Sequence, residues 1–330
     1  MMSELSYREA IILALDEELE RDPNVFLLGE DVGRFGGAMA CSRGLFQKHG
    51  PKRVMDAPIS EAAIVGCALG AALTGLRPIA EIMFIDFTTV CMDQIVNQVA
   101  KVTYMLGGQV KVPLVLRTQG GAGKSYAAQH SQSLEAWFAH VPGIKVVMPS
   151  TPADAKGLLK SAIREDCPVM FIEHKLLYNT KGEVPEGEYL IPIGVSEVKR
   201  QGRNVTVAAY SYMVLKALTA AEELLKESGL SVEVIDLRTL SPLDMAPVYE
   251  SVRKTGRLVC VEEDCRSYGI GAEITSRVQE HCFGYLDGPI QRVAALDCPI
   301  PCSHVLEKAV IPQVEDIRKA ILSTDPLSEP

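Results

Sequence analysis

Residues 142–160 read Pro-Gly-Ile-Lys-Val-Val-Met-Pro-Ser-Thr-Pro-Ala-Asp-Ala-Lys-Gly-Leu-Leu-Lys, and the change of period within them decides the fold class. Ile144 to Met148 is a short apolar run bounded by Gly143 and Pro149, the signature of a strand. Thr151 then stands where a helix wants a side-chain cap. Pro152 occupies the first helical position, where its missing N–H loses no bond and its fixed φ suits the turn. A second strand follows at Val169 to Glu173. Strand, helix and strand in that order predict a parallel βαβ unit, because parallel neighbours need a long crossover.

The same alternation continues outward in both directions. Toward the N-terminus, Ser6 and Glu9 fit a capping box opening a helix from Tyr7 to Leu19. A strand is predicted at Val25 to Leu28, then a loop, Gly29-Glu30-Asp31-Val32-Gly33. Ser60 can cap a helix to about Thr74, Pro78 to Phe84 reads as a strand, Thr88 to Leu106 as one long helix, and Pro113 to Arg117 as a strand. Beyond Glu173, residues 176–193 are polar, hold Gly and Pro and lack periodicity, and read as a linker. Strands at Val205 to Ala209, Val232 to Ile235, Leu258 to Glu262 and Arg292 to Leu296 then alternate with helices at Met213 to Glu227, Leu243 to Lys254 and Gly271 to Glu280, and a last helix starts near Val314. The expectation is two doubly wound α/β domains, residues 1–185 and 186–330.

The chain has 330 residues and a net charge of −9, a poor match for nucleic acid, which needs clustered Lys and Arg. Its longest apolar run, Ala62 to Leu73, is interrupted by glycines and is shorter than the roughly 20 residues of a membrane span. The first residues have no basic or apolar leader, so a cytoplasmic location is expected. The nine cysteines form no CxxC pair and are expected to be free thiols in a reducing compartment.

Several stretches invite a chemical reading. Thr118 to Ser125, Thr-Gln-Gly-Gly-Ala-Gly-Lys-Ser, ends like a phosphate-cradling loop, but Thr118 stands where that motif has Gly. A flexible loop after a strand is the simpler reading. Gly269-Ile-Gly271 lacks the third glycine of a dinucleotide fingerprint and reads as a tight turn. Asp56-Ala-Pro-Ile-Ser-Glu61-Ala-Ala-Ile-Val-Gly66-Cys-Ala-Leu-Gly70-Ala carries more. Glu61 falls in the first helical turn, where the helix dipole alone favours an acid. Gly66 and Gly70 share a face. Each costs about 1 kcal/mol inside a helix relative to Ala, which argues for close approach of another helix or chain. A carboxylate at the start of such a helix is a candidate buried acid.

The spacing Glu61-x4-Gly66-Cys67-x-x-Gly70-Ala71 resembles the pyrimidine-binding motif of thiamine-diphosphate enzymes. The surroundings are similar to the beta subunits of pyruvate, branched-chain and acetoin dehydrogenase complexes. Matching stretches include Phe26-Leu-Leu-Gly-Glu-Asp-Val-Gly33, Ala80-Glu-Ile-Met-Phe-Ile-Asp-Phe87, Asp93-Gln-Ile-Val-Asn-Gln98, Ala128-Gln-His-Ser-Gln132, Glu233-Val-Ile-Asp-Leu-Arg-Thr-Leu240 and Ile311-Pro-Gln-Val. The resemblance covers essentially the whole chain. It implies a transketolase-like pyrimidine-binding domain followed by a transketolase C-terminal domain.

The family's Gly-Asp-Gly motif for pyrophosphate and magnesium is missing from this sequence. The resemblance therefore implies that an alpha subunit holds those groups, within a two-alpha, two-beta heterotetramer that serves a lipoyl acyltransferase core. It assigns Glu61 to the aminopyrimidine nitrogen, Ile59 to the pyrimidine pocket and Phe87 to stacking on the ring. Glu30 matches an acid linking paired active sites, and His130 handles substrate or protons during transfer to the lipoyl arm. Taken alone, Phe87 reads equally as core, and His130 and Glu30 as loop residues. Positions that hold potassium in some relatives match Leu114, Ala162, Ile163, Glu165 and Cys167, the last two differing from the family's Asp and Asn. The expected substrate is a pyruvate-like 2-oxoacid or acetoin, with a branched-chain 2-oxoacid as the alternative. Two rival readings are a silent assembly subunit, opposed by the intact Glu61 and His130, and a nicotinamide oxidoreductase, opposed by the incomplete glycine fingerprint.

Overall fold

The structure, a computed structural model, describes residues 2–324. Two compact units emerge. One comprises the chain up to Gly120 with Trp137–Ile193; the other comprises Gly121–Ala136 with the chain from Gly194 onward. The excursion of residues 121–136 into the second unit has no counterpart in a simple division at residue 185.

In the first unit, β1 (Met2–Ser6) leads into α1 (Tyr7–Arg21), followed by β2 (Val25–Gly29), α2 (Leu45–His49), β3 (Val54–Asp56), α3 (Glu61–Leu73) and β4 (Arg77–Ile82). Next come a 3-10 segment (Ile85–Cys91), a π-helical segment (Gln94–Val99), α4 (Val102–Met105), β5 (Val115–Gly120), α5 (Glu135–Ala139), within which the division falls, β6 (Lys145–Val147), α6 (Pro152–Arg164), β7 (Val169–His174) and β8 (Lys181–Pro185). Within this unit the strand order is β6-β7-β5-β4-β2-β3, every pair parallel. Its strands are apolar on both faces, as a covered parallel sheet requires, with Leu27 beside Ile79 and Ile79 beside Val115 in register. Two of the three predicted caps are made: Ser6 and Glu9 form the capping box, and the Thr151 hydroxyl accepts the N–H of Asp154. Ser60 is the N-cap of α3 but makes no side-chain capping bond.

Two sequence expectations change here. The long helix from Thr88 to Leu106 is broken into 3-10, π and α turns. Thr88 and Thr89 donate to the carbonyls of Ile85 and Asp86, and Asn97 donates to Asp93. Such local side-chain bonds compete with a regular ladder. The linker is also partly strand: β8 pairs antiparallel with β1, Ser3 opposite Val184. Tyr178, at its start, is buried and donates to Glu173 Oε2 at 2.7 Å.

One polar layer crosses this sheet. Glu81, Arg117 and Glu173 lie on the neighbouring strands β4, β5 and β7. Arg117 donates through Nη1 to Glu81, and through Nε and Nη2 to Glu173, the last at 2.9 Å. All three are buried.

The second unit holds β9 (Glu197–Arg200), β10 (Val205–Ala209), α7 (Tyr212–Ser228), β11 (Val232–Asp236), β12 (Thr239–Ser241), α8 (Ala246–Thr255), β13 (Leu258–Cys265), α9 (Ile270–Cys282), β14 (Gln291–Ala295), α10 (His304–Val310) and α11 (Val314–Leu322). Its sheet runs β14-β13-β10-β11-β9, parallel except for the antiparallel edge strand β9. Val207, Val234 and Val259 from the strands meet Val214, Ala217 and Ala221 of α7 and Ile317 of α11 in its core. Cys41, Cys91, Cys260 and Cys282 are buried free thiols.

Candidate active site

In an open parallel sheet, ligands bind at the carboxyl ends of the strands, where loops converge and helix N-termini point inward. In the first unit the neighbouring strands β4, β2 and β3 deliver four of the expected residues there. Glu30 follows β2 directly, Ile59 and Glu61 follow β3, and Phe87 follows β4.

Glu61 is the first residue of α3 and only 8% exposed. Its charge is felt by two neighbours. Burial, then Glu61, then Asp31 raise the Glu30 carboxyl above its ordinary value. Burial and then Glu61 push the Cys91 thiol up to about 12. Glu61 therefore sits between the loop after β2 and the end of the 3-10 segment, against which α3 packs. The loop after β2 is held from β3: Asp56 accepts the N–H of Gly33 at 2.6 Å, and a Cβ on Gly33 would collide with that carboxylate.

Ile59 is 83% exposed, an apolar side chain left uncovered beside a buried acid. Phe87 is half-buried and meets Phe84 edge-on, ring centroids 5.9 Å apart. An exposed aliphatic side chain, an aromatic ring and a buried carboxylate at a helix N-terminus are the kinds of group that suit a pyrimidine ring. On α3 itself, Ala63, Gly66, Cys67 and Gly70 line an exposed face, and a Cβ added at Gly66 or Gly70 would meet nothing within 4 Å. Among the described residues, the close helix crossing expected of these glycines is not made.

His130 belongs to the second unit, in the 121–136 segment. It is half-buried, and its N–H donates to Ala127 O at 3.4 Å. The five expected potassium positions gather where α6 ends. There Arg77 donates through Nε to Ile163 O at 2.9 Å and through Nη2 to Glu165 O at 2.5 Å. The Leu114 carbonyl accepts the N–H of Val169 at 2.9 Å, and the Glu165 carboxylate pairs with Lys145 at 2.9 Å. A side-chain cation already occupies this helix C-terminus, where the dipole favours positive charge. Among the described residues, no group of three His, Cys, Asp or Glu side chains could hold a metal ion.

Sequence reasoning overlooked Asp56 and the Glu81–Arg117–Glu173 layer. The signal was a charged residue, Glu81, Arg117 or Glu173, set within a largely apolar stretch of each of three strands, which burial forces to pair.

Residues 3–181 match the pyrimidine binding domain of transketolase, and residues 194–317 match the transketolase C-terminal domain. The chain is 50% identical over 321 residues to the mitochondrial pyruvate dehydrogenase E1 component subunit beta-2 of Oryza sativa subsp. japonica, covering 96% of this chain and 85% of that protein. It is 49% identical to the beta subunit of acetoin:2,6-dichlorophenolindophenol oxidoreductase of Cupriavidus necator, covering 98% of each. It is 47% identical to the 2-oxoisovalerate dehydrogenase subunit beta of Bacillus subtilis, covering 97% and 98%. Among solved structures, a split-gene transketolase described as an inactive beta4 tetramer superposes with a TM-score of 0.80 at 24% identity over 98% of this chain and 99% of that one, a likeness of fold.

Proposed function

The chain belongs to the family of beta subunits of thiamine-diphosphate-dependent 2-oxoacid and acetoin dehydrogenases, and we propose that it supplies the pyrimidine side of an active site completed by an alpha subunit. The observation that carries this reading is the buried Glu61 at the N-terminus of α3, beside the exposed Ile59 and close enough to Glu30 to raise its carboxyl. Thiamine diphosphate, when bound, supplies a nucleophilic thiazolium carbon. This chain's part is to orient it and manage protons. Glu61 holds a hydrogen bond to the aminopyrimidine nitrogen and passes a proton there. A carboxyl suits that work because it takes and gives a proton at one fixed place. Ile59 and Phe87 fix the ring from its apolar faces. Glu30, whose carboxyl burial and Glu61 raise above its ordinary value, stands beside Glu61 in the loop after β2 and links the paired active sites.

In this reading the alpha subunit binds pyrophosphate and magnesium and covers the open face of α3, giving a two-alpha, two-beta heterotetramer. His130 serves the passage of the acyl group to a lipoyl-bearing acyltransferase. A potassium ion at the end of α6 would have to draw on the carbonyls of Ile163 and Glu165, which Arg77 already uses. The substrate is a pyruvate-like 2-oxoacid or acetoin. The similarity to a 2-oxoisovalerate dehydrogenase beta subunit keeps a branched-chain 2-oxoacid in view.

The test is co-expression with the alpha subunit, followed by calorimetry with thiamine diphosphate and a panel of pyruvate, acetoin and 2-oxoisovalerate. The reading expects magnesium-dependent cofactor binding and turnover by the assembled protein only. Tight binding by this chain alone would overturn it.

A further inference from the structure

Residues 121–127 alternate in backbone handedness. Gly121, Gly123, Ser125 and Ala127 have positive φ, of 85°, 95°, 57° and 63°. None of the three residues between them does. Alternation of this kind turns successive N–H groups to one side and builds a concavity that selects an anion, the geometry that phosphate-binding loops use. The Gly-Gly-Ala-Gly-Lys-Ser stretch is a loop after β5, as expected, and its backbone carries this alternation of φ. The anion is supplied from inside the second unit. Glu307, fully buried on α10, accepts the N–H of Gly123 at 2.8 Å, the N–H of Ser125 at 3.0 Å and the Ser125 hydroxyl at 3.3 Å. The buried Glu263 takes the N–H of Ala122 at 2.6 Å.

Ser125 and Ala127 adopt a left-handed conformation that residues with a Cβ avoid. Such conformers persist only where the surroundings over-determine them. A buried carboxylate that collects three donors from two residues provides that. The loop is also closed at its far end, where Gly121 N–H donates to Gln132 O at 3.0 Å. His130 lies inside the closed segment.

We propose that Glu307 is a positioning residue: its carboxylate stands where a phosphate loop would hold phosphate, and it templates the loop that presents His130. The catalytic consequence rests on the reading of His130 given above. The template itself does not. Removing the carboxylate leaves an empty nest of small-anion size. Charge-assisted bonds to it are then missing, and formate can restore them.

The experiment uses the assembled heterotetramer in three forms, wild type, Glu307→Ala and Glu307→Gln. Amide exchange of peptides spanning 121–132 is read by mass spectrometry, and transfer to a lipoyl domain is timed, each with and without formate. In Glu307→Ala, exchange over Gly123 to His130 rises at least about tenfold, as expected for one lost charge-assisted bond. Transfer slows in parallel, and formate reverses both. Glu307→Gln keeps the volume, loosens the loop less and gains nothing from formate. If Glu307→Ala fails to assemble, the Gln variant carries the exchange measurement. Wild-type exchange in both variants overturns the template. Faster, formate-reversible exchange with unchanged transfer, together with unchanged transfer in His130→Ala, upholds the template and removes His130 from the mechanism.

Discussion

The charge of Glu61 reaches Glu30: after burial, it is the largest influence raising the Glu30 carboxyl above its ordinary value. The two acids come from the loops after neighbouring strands β3 and β2, so the sheet itself sets their proximity. A raised carboxyl favours the fold while protonated. Its contribution is present below the ordinary carboxylate range and is lost as pH rises through the folded value. Glu61→Gln should therefore lower the Glu30 value, and Glu30→Gln should flatten stability against pH above the ordinary Glu value of about 4.3. Side-chain NMR titration of Glu30 in the Glu61→Gln protein checks the coupling; an unmoved titration would mean that burial and Asp31 act without Glu61.

A second prediction concerns assembly. Gly70 has open space around its Cβ position and lies on the exposed face of α3. Gly70→Leu should leave the isolated chain folded, and by helix propensity alone stabilise α3 by up to about 1 kcal/mol. It should block the alpha subunit if that subunit packs there. Light scattering decides: an intact heterotetramer with Gly70→Leu removes α3 from the interface.

The polar layer makes a third. Arg117→Met leaves Glu81 and Glu173 buried without their shared cation. Removing one partner of a buried ion pair costs about 3–5 kcal/mol, because the other charge stays desolvated. Denaturant unfolding of Arg117→Met should show a loss of that size at neutral pH. A loss below about 1 kcal/mol would mean that the layer is already hydrated.

Much of this could be read from residue order, and the rest depends on partners distant in the chain. Val205 to Ala209 and the Thr151-Pro152 helix start were legible because apolar period and caps are local. Glu61 was legible because its spacing to Gly66 and Gly70 is a motif. The break of residues 85–105 into 3-10, π and α turns was not, since it follows from which carbonyls Thr88, Thr89 and Asn97 reach. The pairing of β1 with β8 joins residues some 180 apart. The handedness of residues 121–127 depends on Glu307, whose position in the sequence carries no sign of it.

The most direct test of the account is Glu61→Gln in the assembled protein with thiamine diphosphate bound. The amide keeps the size and much of the hydrogen bonding but cannot pass a proton. General acid–base assistance is typically worth about 100- to 10,000-fold, so exchange of the thiazolium proton, followed by NMR in deuterated water, should slow by at least about 100-fold. Folding should change by no more than about 1 kcal/mol, the charge–dipole contribution of an acid at a helix N-terminus. Slow exchange in a folded, cofactor-loaded variant is the predicted result. Exchange at the wild-type rate in that same variant would contradict the role given to Glu61.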